Sequence, residues 1–144
     1  MPSQYPIADM HVFPLTRAAG RLTLLRETDH LLRRFGLLEL IDLVAGEGTE
    51  FTLRAEADRF LFSLSGSAIV SLLDLRETSP SNGERAEFIL DADNPQGLLV
   101  PFGVACSLEA KSPARLILLS THSESHPEDR IAAFDELGTY TASQ

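Results

Sequence analysis

The chain has 144 residues, of which 44% are hydrophobic, and its formal net charge is −9 at pH 7. This length and apolar fraction are typical of one globular domain, which we expect to span residues 1–144. The negative charge argues against nucleic acids and anionic membranes as partners, because both attract basic surfaces.

The expected compartment follows from three features of the sequence. The single cysteine, Cys106, cannot form an internal disulfide, which is typical of a reducing compartment. Residues 1–10 lack the basic residues and the apolar run of a signal peptide. The sequence contains no run of about 18 uninterrupted apolar residues, so no transmembrane helix is predicted. We therefore expect a cytoplasmic protein with no membrane partner.

Short apolar segments alternate with turn signals along most of the chain, a pattern typical of an all-β sandwich or barrel. The turn signals include Ser65-Gly66-Ser67 and Asn82-Gly83, whose residues accept the positive φ of a tight turn. In chain order, the predicted strands are Leu22–Arg26, Leu37–Val44, Arg59–Leu64, Ala68–Arg76, Ala86–Leu90, Gly97–Val100, Ala105–Glu109 and Arg115–Thr121.

The predicted strand Ala68–Arg76 is apolar on both faces. By the two-residue period of a strand, Val70 and Leu72 lie on one face, whereas Ile69 and Leu73 lie on the other. A strand with two apolar faces needs cover on both sides. We expect the barrel interior to cover one face and a partner sheet or subunit to cover the other.

One short α-helix is predicted near the C-terminal end, over Pro127–Leu137. Pro127 suits a first turn, and the two acidic residues after it favour the positive end of the helix dipole. Ile131, Phe134 and Leu137 follow at the spacing of one apolar stripe.

Residues 46–66 carry a spaced pattern of glycine, threonine and arginine. Its members are Gly46, Thr52, Arg54, Arg59 and Gly66. This spacing resembles the first sequence motif of cupins, in which His, His and Glu stand where this chain has Thr and two Arg. The resemblance implies a cupin jelly roll, also called a double-stranded β-helix.

A second pattern follows at Pro101-Phe102-Gly103, with Cys106 three residues later. It resembles the second cupin motif, in which a His takes the position of Cys106. All four metal-ligand positions of the cupin pattern have therefore changed. We expect no bound metal, because Arg and Thr cannot replace His and Glu as ligands, and we expect no other cofactor.

The stretch Gly66–Leu108 resembles dTDP-4-dehydrorhamnose 3,5-epimerases, and its flanks resemble dTDP-sugar 3,4-ketoisomerases. This resemblance implies a homodimeric jelly roll that acts on a nucleotide-linked 4-keto-6-deoxy sugar, so a dTDP-sugar is the expected ligand. The residues that carry it are Gly20–Thr23, Leu64–Ser67, Asp74-Leu75-Arg76, Thr78–Ser81, Gly83, Leu90–Asn94, Leu98, Pro101, Gly103, Ala105, Ile117–Thr121, Glu128–Ile131 and Phe134–Leu137.

The resemblance also bears on catalysis. These enzymes move a proton beside the keto group, and a base with a pKa near 7, such as His, suits the task. The positions that match the ketoisomerase histidines hold Thr52 and Arg54, and neither acts as a base near pH 7. We expect a ligand-binding cupin whose inherited His-based catalysis is lost. The alternative is a non-catalytic cupin that serves as a structural or protein-interaction dimer.

Seven residues are the candidates for a functional site. A ligand is expected to contact four of them: Thr52, Arg54, Arg59 and Cys106. If catalysis remains, the candidate bases are Asp74, Asp58 and His30.

Two interpretations of the arginine pair stay open. Arg54 and Arg59 lie five residues apart, so strict alternation places them on opposite faces of a strand unless a bend intervenes. They either grip a phosphate or carboxylate with fixed positive charge, or they form ion pairs. The acidic partners considered for such pairs are Glu50, Glu56, Asp58 and Asp74.

Two further candidates have similar alternatives. Asp74 either orients a side chain in the barrel or forms a salt bridge with Arg76 or Arg59. Cys106 is either a reactive thiol or a small buried apolar residue, and the usual burial of free cysteines favours the second. His122 and His126 are four residues apart but lack the further ligands that a metal site needs.

Overall fold

The computed structural model of the chain describes residues 7–132. Within this range it is an all-β structure, and its one helical element is a single 3₁₀ turn at Glu27–Asp29. The strands are β1 His11–Pro14, β2 Thr16–Ala18, β3 Arg21–Thr23, β4 Leu37–Leu43, β5 Phe51–Leu53, β6 Arg59–Ser65, β7 Ser67–Asp74, β8 Arg85–Asp91, β9 Gln96–Val100, β10 Val104–Ala110, β11 Ala114–Ser120 and β12 Arg130–Ala132.

Two five-stranded antiparallel sheets face each other, as in a jelly roll. We call β1-β9-β6-β11-β4 the first sheet and β12-β5-β10-β7-β8 the second sheet. The main core lies between them, where Leu61 and Leu116 of the first sheet meet Val70 and Leu72 of the second. These side chains are 2% exposed or less, so the barrel interior is a packed apolar core.

The outer face of the first sheet is covered by the chain that precedes β4. Phe13, Phe60 and Phe62 form a second cluster on this face. Leu22 of the β2–β3 hairpin and Leu32 of the following connection pack against the cluster. Residues 15–32 thus cover the outer face of the first sheet.

The eight strands predicted from the sequence each overlap an observed strand. The sequence missed β1, β2, β5 and β12, which have only three or four residues each. Such short segments contain too few positions for a two-residue period to stand out. They are held by pairing with neighbours, as when β5 pairs with both β10 and β12.

The helix predicted to begin at Pro127 is wrong over the described residues. Arg130–Ala132 instead form β12, which runs antiparallel to β5. Backbone hydrogen bonds to the edge of β5 outweigh the local helix propensity, which rested on Pro127 and on the spacing of a few apolar residues. Phe134 and Leu137, which complete the predicted stripe, lie outside the described residues.

None of the helical structure within residues 7–132 is long and apolar enough to span a membrane.

Candidate functional site

The candidate site lies at the end of the barrel where β5 of the second sheet leads to β6 of the first. β5 ends at Leu53 and β6 begins at Arg59, so residues 54–58 cross between the sheets. The chain bends at Ala55 and Glu56 in this crossing. Arg54 therefore follows the last strand residue of β5 and Arg59 begins β6, and the bend places both at the same end of the barrel.

Arg59 points into the barrel from the first position of β6. Its Nη2 group donates to the backbone carbonyls of Thr52 at 3.0 Å and Val104 at 2.9 Å, both in the opposite sheet. Its Nε–H has no hydrogen-bond partner in the part of the chain that the structure describes. Burial lowers the pKa of Arg59, but a guanidinium remains protonated in proteins. Arg59 is therefore a buried cation with a free donor.

Arg54 is the second cation at this end of the barrel. Its Nε lies 3.1 Å from Oδ2 of Asp129, and its Nη2 donates to the carbonyl of Glu124 at 3.1 Å. The Nε–H does not align with the carboxylate, so this donor also lacks a hydrogen bond among the described residues. The backbone N–H groups of Ala55 and His126 donate to the same carboxylate.

Asp129 supplies a negative charge beside the two arginines. Burial alone raises its pKa, but the N–H groups of His126 and Ala55 and the charge of Arg54 hold the pKa below its ordinary value. The ionised carboxylate also acts electrostatically on Arg59. This barrel end, which we call the arginine end, thus combines two cations with one anion.

Thr52 and Cys106 complete the arginine end. They are paired residues of β5 and β10, and Cys106 is also paired with the core residue Leu72, so all three share the inner face. Burial raises the pKa of the Cys106 thiol, and the charge of Arg59 opposes that rise only in part. A protonated thiol within an apolar core acts as packing rather than as a nucleophile.

Asp74 lies in a separate, fully paired network. Nε of Arg76 lies 2.9 Å from its Oδ1, while the hydroxyls of Ser79 and Ser81 donate to Oδ2 at 2.7 and 2.6 Å. Burial alone raises the pKa of Asp74, but hydrogen bonds from Arg76, Ser81 and Ser79 lower it to about 2. Its ion pair is therefore with Arg76 and not with Arg59.

The other two catalytic candidates are also separate. The carboxylate of Asp58 accepts from Nε of Arg33 at 3.1 Å and from the backbone N–H of Phe102 at 3.0 Å. His30 is exposed on the connection between β3 and β4. The structure therefore gathers Thr52, Arg54, Arg59 and Cys106 but leaves the three candidate bases in different surroundings.

Sequence reasoning missed Asp129 as a member of the site. Asp129 was assigned to the first turn of a helix, whereas it lies just before β12 and faces Arg54. The sequence feature that pointed to such a residue was the presence of two arginines at motif positions, because two buried cations need an acidic partner from another segment of the chain. None of the four acidic partners considered for Arg54 and Arg59 supplies that charge.

His122 also contacts residues that the sequence did not connect to it. Its Nε2 lies 3.2 Å from Oε1 of Glu56, and its Nδ1 lies 2.8 Å from Oγ1 of Thr121. Both ring nitrogens are therefore occupied, which does not suit a free base. Across residues 7–132, no group of three or more His, Cys, Asp or Glu side chains is placed to hold a metal ion.

The fold resembles that of two solved sugar-nucleotide enzymes. One is a dTDP sugar isomerase from Desulfovibrio desulfuricans G20, with a TM-score of 0.85, 22% identity, and coverage of 95% of this chain and 92% of that chain. The other is a dTDP-4-dehydrorhamnose 3,5-epimerase from Elizabethkingia anophelis NUHP1, with a TM-score of 0.80, 18% identity, and coverage of 92% and 80%. At these identities the likeness shows the fold.

One curated relative is similar enough in sequence to decide the family. The spore coat polysaccharide biosynthesis protein SpsL of Bacillus subtilis (strain 168) is 30% identical over 117 residues, covering 78% of each chain. The chain therefore belongs to the same family as SpsL, and the solved structures show an RmlC-like fold. No family model matches the sequence. The resemblance to the epimerases and ketoisomerases that the sequence indicated is thus confirmed at the level of the fold.

Proposed function

We propose that this RmlC-like cupin is a single domain that binds a nucleotide sugar or another small anionic ligand at its arginine end. We propose further that it lacks the His-based proton transfer of the sugar-nucleotide isomerases and epimerases. The similar structures are a dTDP sugar isomerase and a dTDP-sugar epimerase, and SpsL is named for polysaccharide biosynthesis. These names support a sugar-related ligand.

The observation that carries the binding proposal is the Nε–H of buried Arg59, which has no hydrogen-bond partner among residues 7–132. Buried donors are almost always paired, and a buried cationic donor without an acceptor costs free energy. An anionic ligand removes that cost through a charge-assisted hydrogen bond.

The proposed loss of catalysis is supported by where the histidines lie. All four belong to the described range, and His11 and His30 are exposed. Both ring nitrogens of His122 have partners, and Nδ1 of His126 accepts from the N–H of Glu128. The inner face of β5 and β10 presents Thr52 and Cys106 instead. Neither side chain is a base near pH 7, so the arginine end suits binding better than proton abstraction.

Two measurements on the whole chain test this proposal. Calorimetric titration with dTDP and dTDP-glucose should show binding, which Arg59→Met should abolish because it removes the buried cation. Incubation with dTDP-4-keto-6-deoxyglucose in deuterated water should show no deuterium at the carbons beside the ketone, while an active epimerase run in parallel should exchange it. Absence of binding would contradict the ligand proposal, and rapid exchange would contradict the loss of catalysis.

The alternative function as a structural or protein-interaction dimer has its own support. Leu38 and Leu40 are 57% and 52% exposed on β4, which is the edge strand of the first sheet in residues 7–132. An apolar edge strand favours pairing with a second copy. Sedimentation should show a homodimer that Leu40→Asp dissociates, whereas Phe102→Asp, which replaces an exposed apolar residue in the loop between β9 and β10, should not dissociate it.

Three further expectations remain predictions. The protein should be cytoplasmic, it should not bind nucleic acid, and it should hold no transition metal. Elemental analysis of untagged protein checks the last of these, and stoichiometric zinc, iron or nickel would contradict it.

A further inference from the structure

The arginine end contains one cation more than it contains anions. Asp129 compensates Arg54, with Oδ2 and Nε 3.1 Å apart. Arg59 donates to two backbone carbonyls, which carry no net charge, and no described carboxylate forms an ion pair with it. Cys106 is a neutral thiol in the apolar core. Among residues 7–132, one positive charge is therefore uncompensated in a largely buried setting.

A buried cation is most stable beside a single opposite charge. A dianionic phosphate monoester would leave a net negative charge against the apolar wall that Leu72 and Val104 provide. A carboxylate carries one charge, and its planar shape matches the donors of a guanidinium. The surroundings of Arg59 therefore favour a singly charged group, such as a carboxylate or one phosphate of a nucleotide sugar, over a phosphate monoester.

The structure already contains a carboxylate beside these arginines. The side chain of Asp129 reaches Arg54 from the segment between β11 and β12, and the N–H groups of Ala55 and His126 hold it there. Its charge also acts on Arg59. The arginine end thus already binds one carboxylate, that of Asp129, through Arg54 and two backbone N–H groups.

We propose that the arginine end recognises the carboxylate of a sugar acid, such as a hexuronic acid, and that Asp129 competes with this carboxylate for the arginines. The inference rests on the proposed function and names the ligand class of that same site. A hexuronate supplies one negative charge and hydroxyl groups. Asp129 reduces the affinity for it, because two carboxylates beside the same cations repel each other.

The test uses calorimetric titration of the full-length protein with glucuronate, with glucose as the uncharged control ligand. Wild type should bind glucuronate and not glucose. Asp129→Asn keeps one oxygen acceptor but removes the negative charge. The variant should bind glucuronate about tenfold more tightly, because a like charge at short range changes a binding or protonation constant by about one factor of ten. Arg59→Met should abolish binding.

Asp42→Asn is the matched control. Asp42 forms an ion pair with Arg115 at 2.9 Å on the exposed outer side of the first sheet, so its replacement changes the net charge by the same amount. It should leave glucuronate affinity unchanged. An equal gain in both variants would show a general charge effect and would overturn the role of Asp129.

The remaining outcomes separate this inference from the proposed function. If dTDP or dTDP-glucose binds and glucuronate binds to neither wild type nor Asp129→Asn, the carboxylate assignment is wrong and the proposed function stands. If no ligand binds, both are wrong. If Asp129→Asn does not fold, the contrast of glucuronate with glucose on wild type and Arg59→Met still decides whether a carboxylate is recognised.

Discussion

Two buried charges lie near the same end of the barrel, and their surroundings differ. The carboxylate of Asp74 receives donors from Arg76, Ser79 and Ser81, so both of its oxygens are satisfied. The guanidinium of Arg59 has only backbone carbonyls as partners, and its Nε–H is unpaired among the described residues. A fully paired charge stabilises the fold, whereas an incompletely paired one is better explained by a ligand.

The sequence around each charge reflects the same difference. Asp74 and its partners come from one short stretch, and the turn that follows β7 brings them together. Gly103, at φ +81, allows the side chain of Arg76 to pass, because a Cβ there would lie 2.3 Å from Cγ of Arg76. Arg59 instead reaches partners in the opposite sheet. The first charge therefore depends on local geometry and the second on the assembled barrel.

The largest expected effect comes from breaking the paired charge. Asp74→Asn leaves Arg76 without its buried counter-ion, so the free energy of unfolding should fall by about 3 kcal/mol. Asp42→Asn, which breaks the exposed pair with Arg115, should cost less than about 1 kcal/mol. Urea denaturation of both variants measures the contrast. Equal losses would mean that Asp74 is no more structural than a surface residue.

Acid should weaken the same network by a somewhat smaller amount. The pKa of Asp74 is lowered from 3.8 to about 2 in the folded protein, so its contribution is fully present above about pH 4. The contribution is lost as the pH falls through about 2, and it amounts to about 2 kcal/mol. The unfolding free energy measured from pH 5 to pH 2 should fall less steeply in Asp74→Asn than in wild type. If the unfolding free energies of wild type and Asp74→Asn fell equally with pH, the lowered pKa of Asp74 would be wrong.

Much of the fold could be predicted from the sequence, because its strands carry strong periodic signals. Ala68–Arg76 overlaps β7, and Gly66, which separates β6 from β7, has φ +73 as a tight turn requires. The failed element was the C-terminal helix, where pairing of β12 with β5 prevailed over local propensity. Such pairing depends on strands about 80 residues apart, which a local pattern does not reveal.

The candidate site could be predicted only in part. Thr52, Arg54, Arg59 and Cys106 were found because they occupy motif positions with fixed spacing. Asp129 was missed because its partner, Arg54, lies in a distant part of the sequence. Motif spacing identifies which residues face the barrel, but it does not state which charges neutralise them, since ion pairs depend on the folded path of the chain.

The third prediction tests the incompletely paired charge. Arg59→Met fills a similar volume without a charge and loses two hydrogen bonds to backbone carbonyls. Replacing a buried, poorly compensated ion by an apolar side chain is often nearly neutral, so we expect a loss of about 1 kcal/mol at most. Urea denaturation beside Asp74→Asn measures the difference. A loss as large as that of Asp74→Asn would mean that Arg59 is primarily structural.

The smallest expected effect concerns the thiol that adjoins the arginine end. Burial raises the pKa of Cys106 and the charge of Arg59 partly opposes this rise, so few thiolates are present near pH 7. The native thiol should react with a maleimide far more slowly than the denatured thiol, because the thiolate is the reactive form. Arg59→Met should slow the native reaction further, since it removes the charge that favours the thiolate. Faster labelling in this variant would show instead that Arg59 shields the thiol, and the electrostatic link between the two residues would then be wrong.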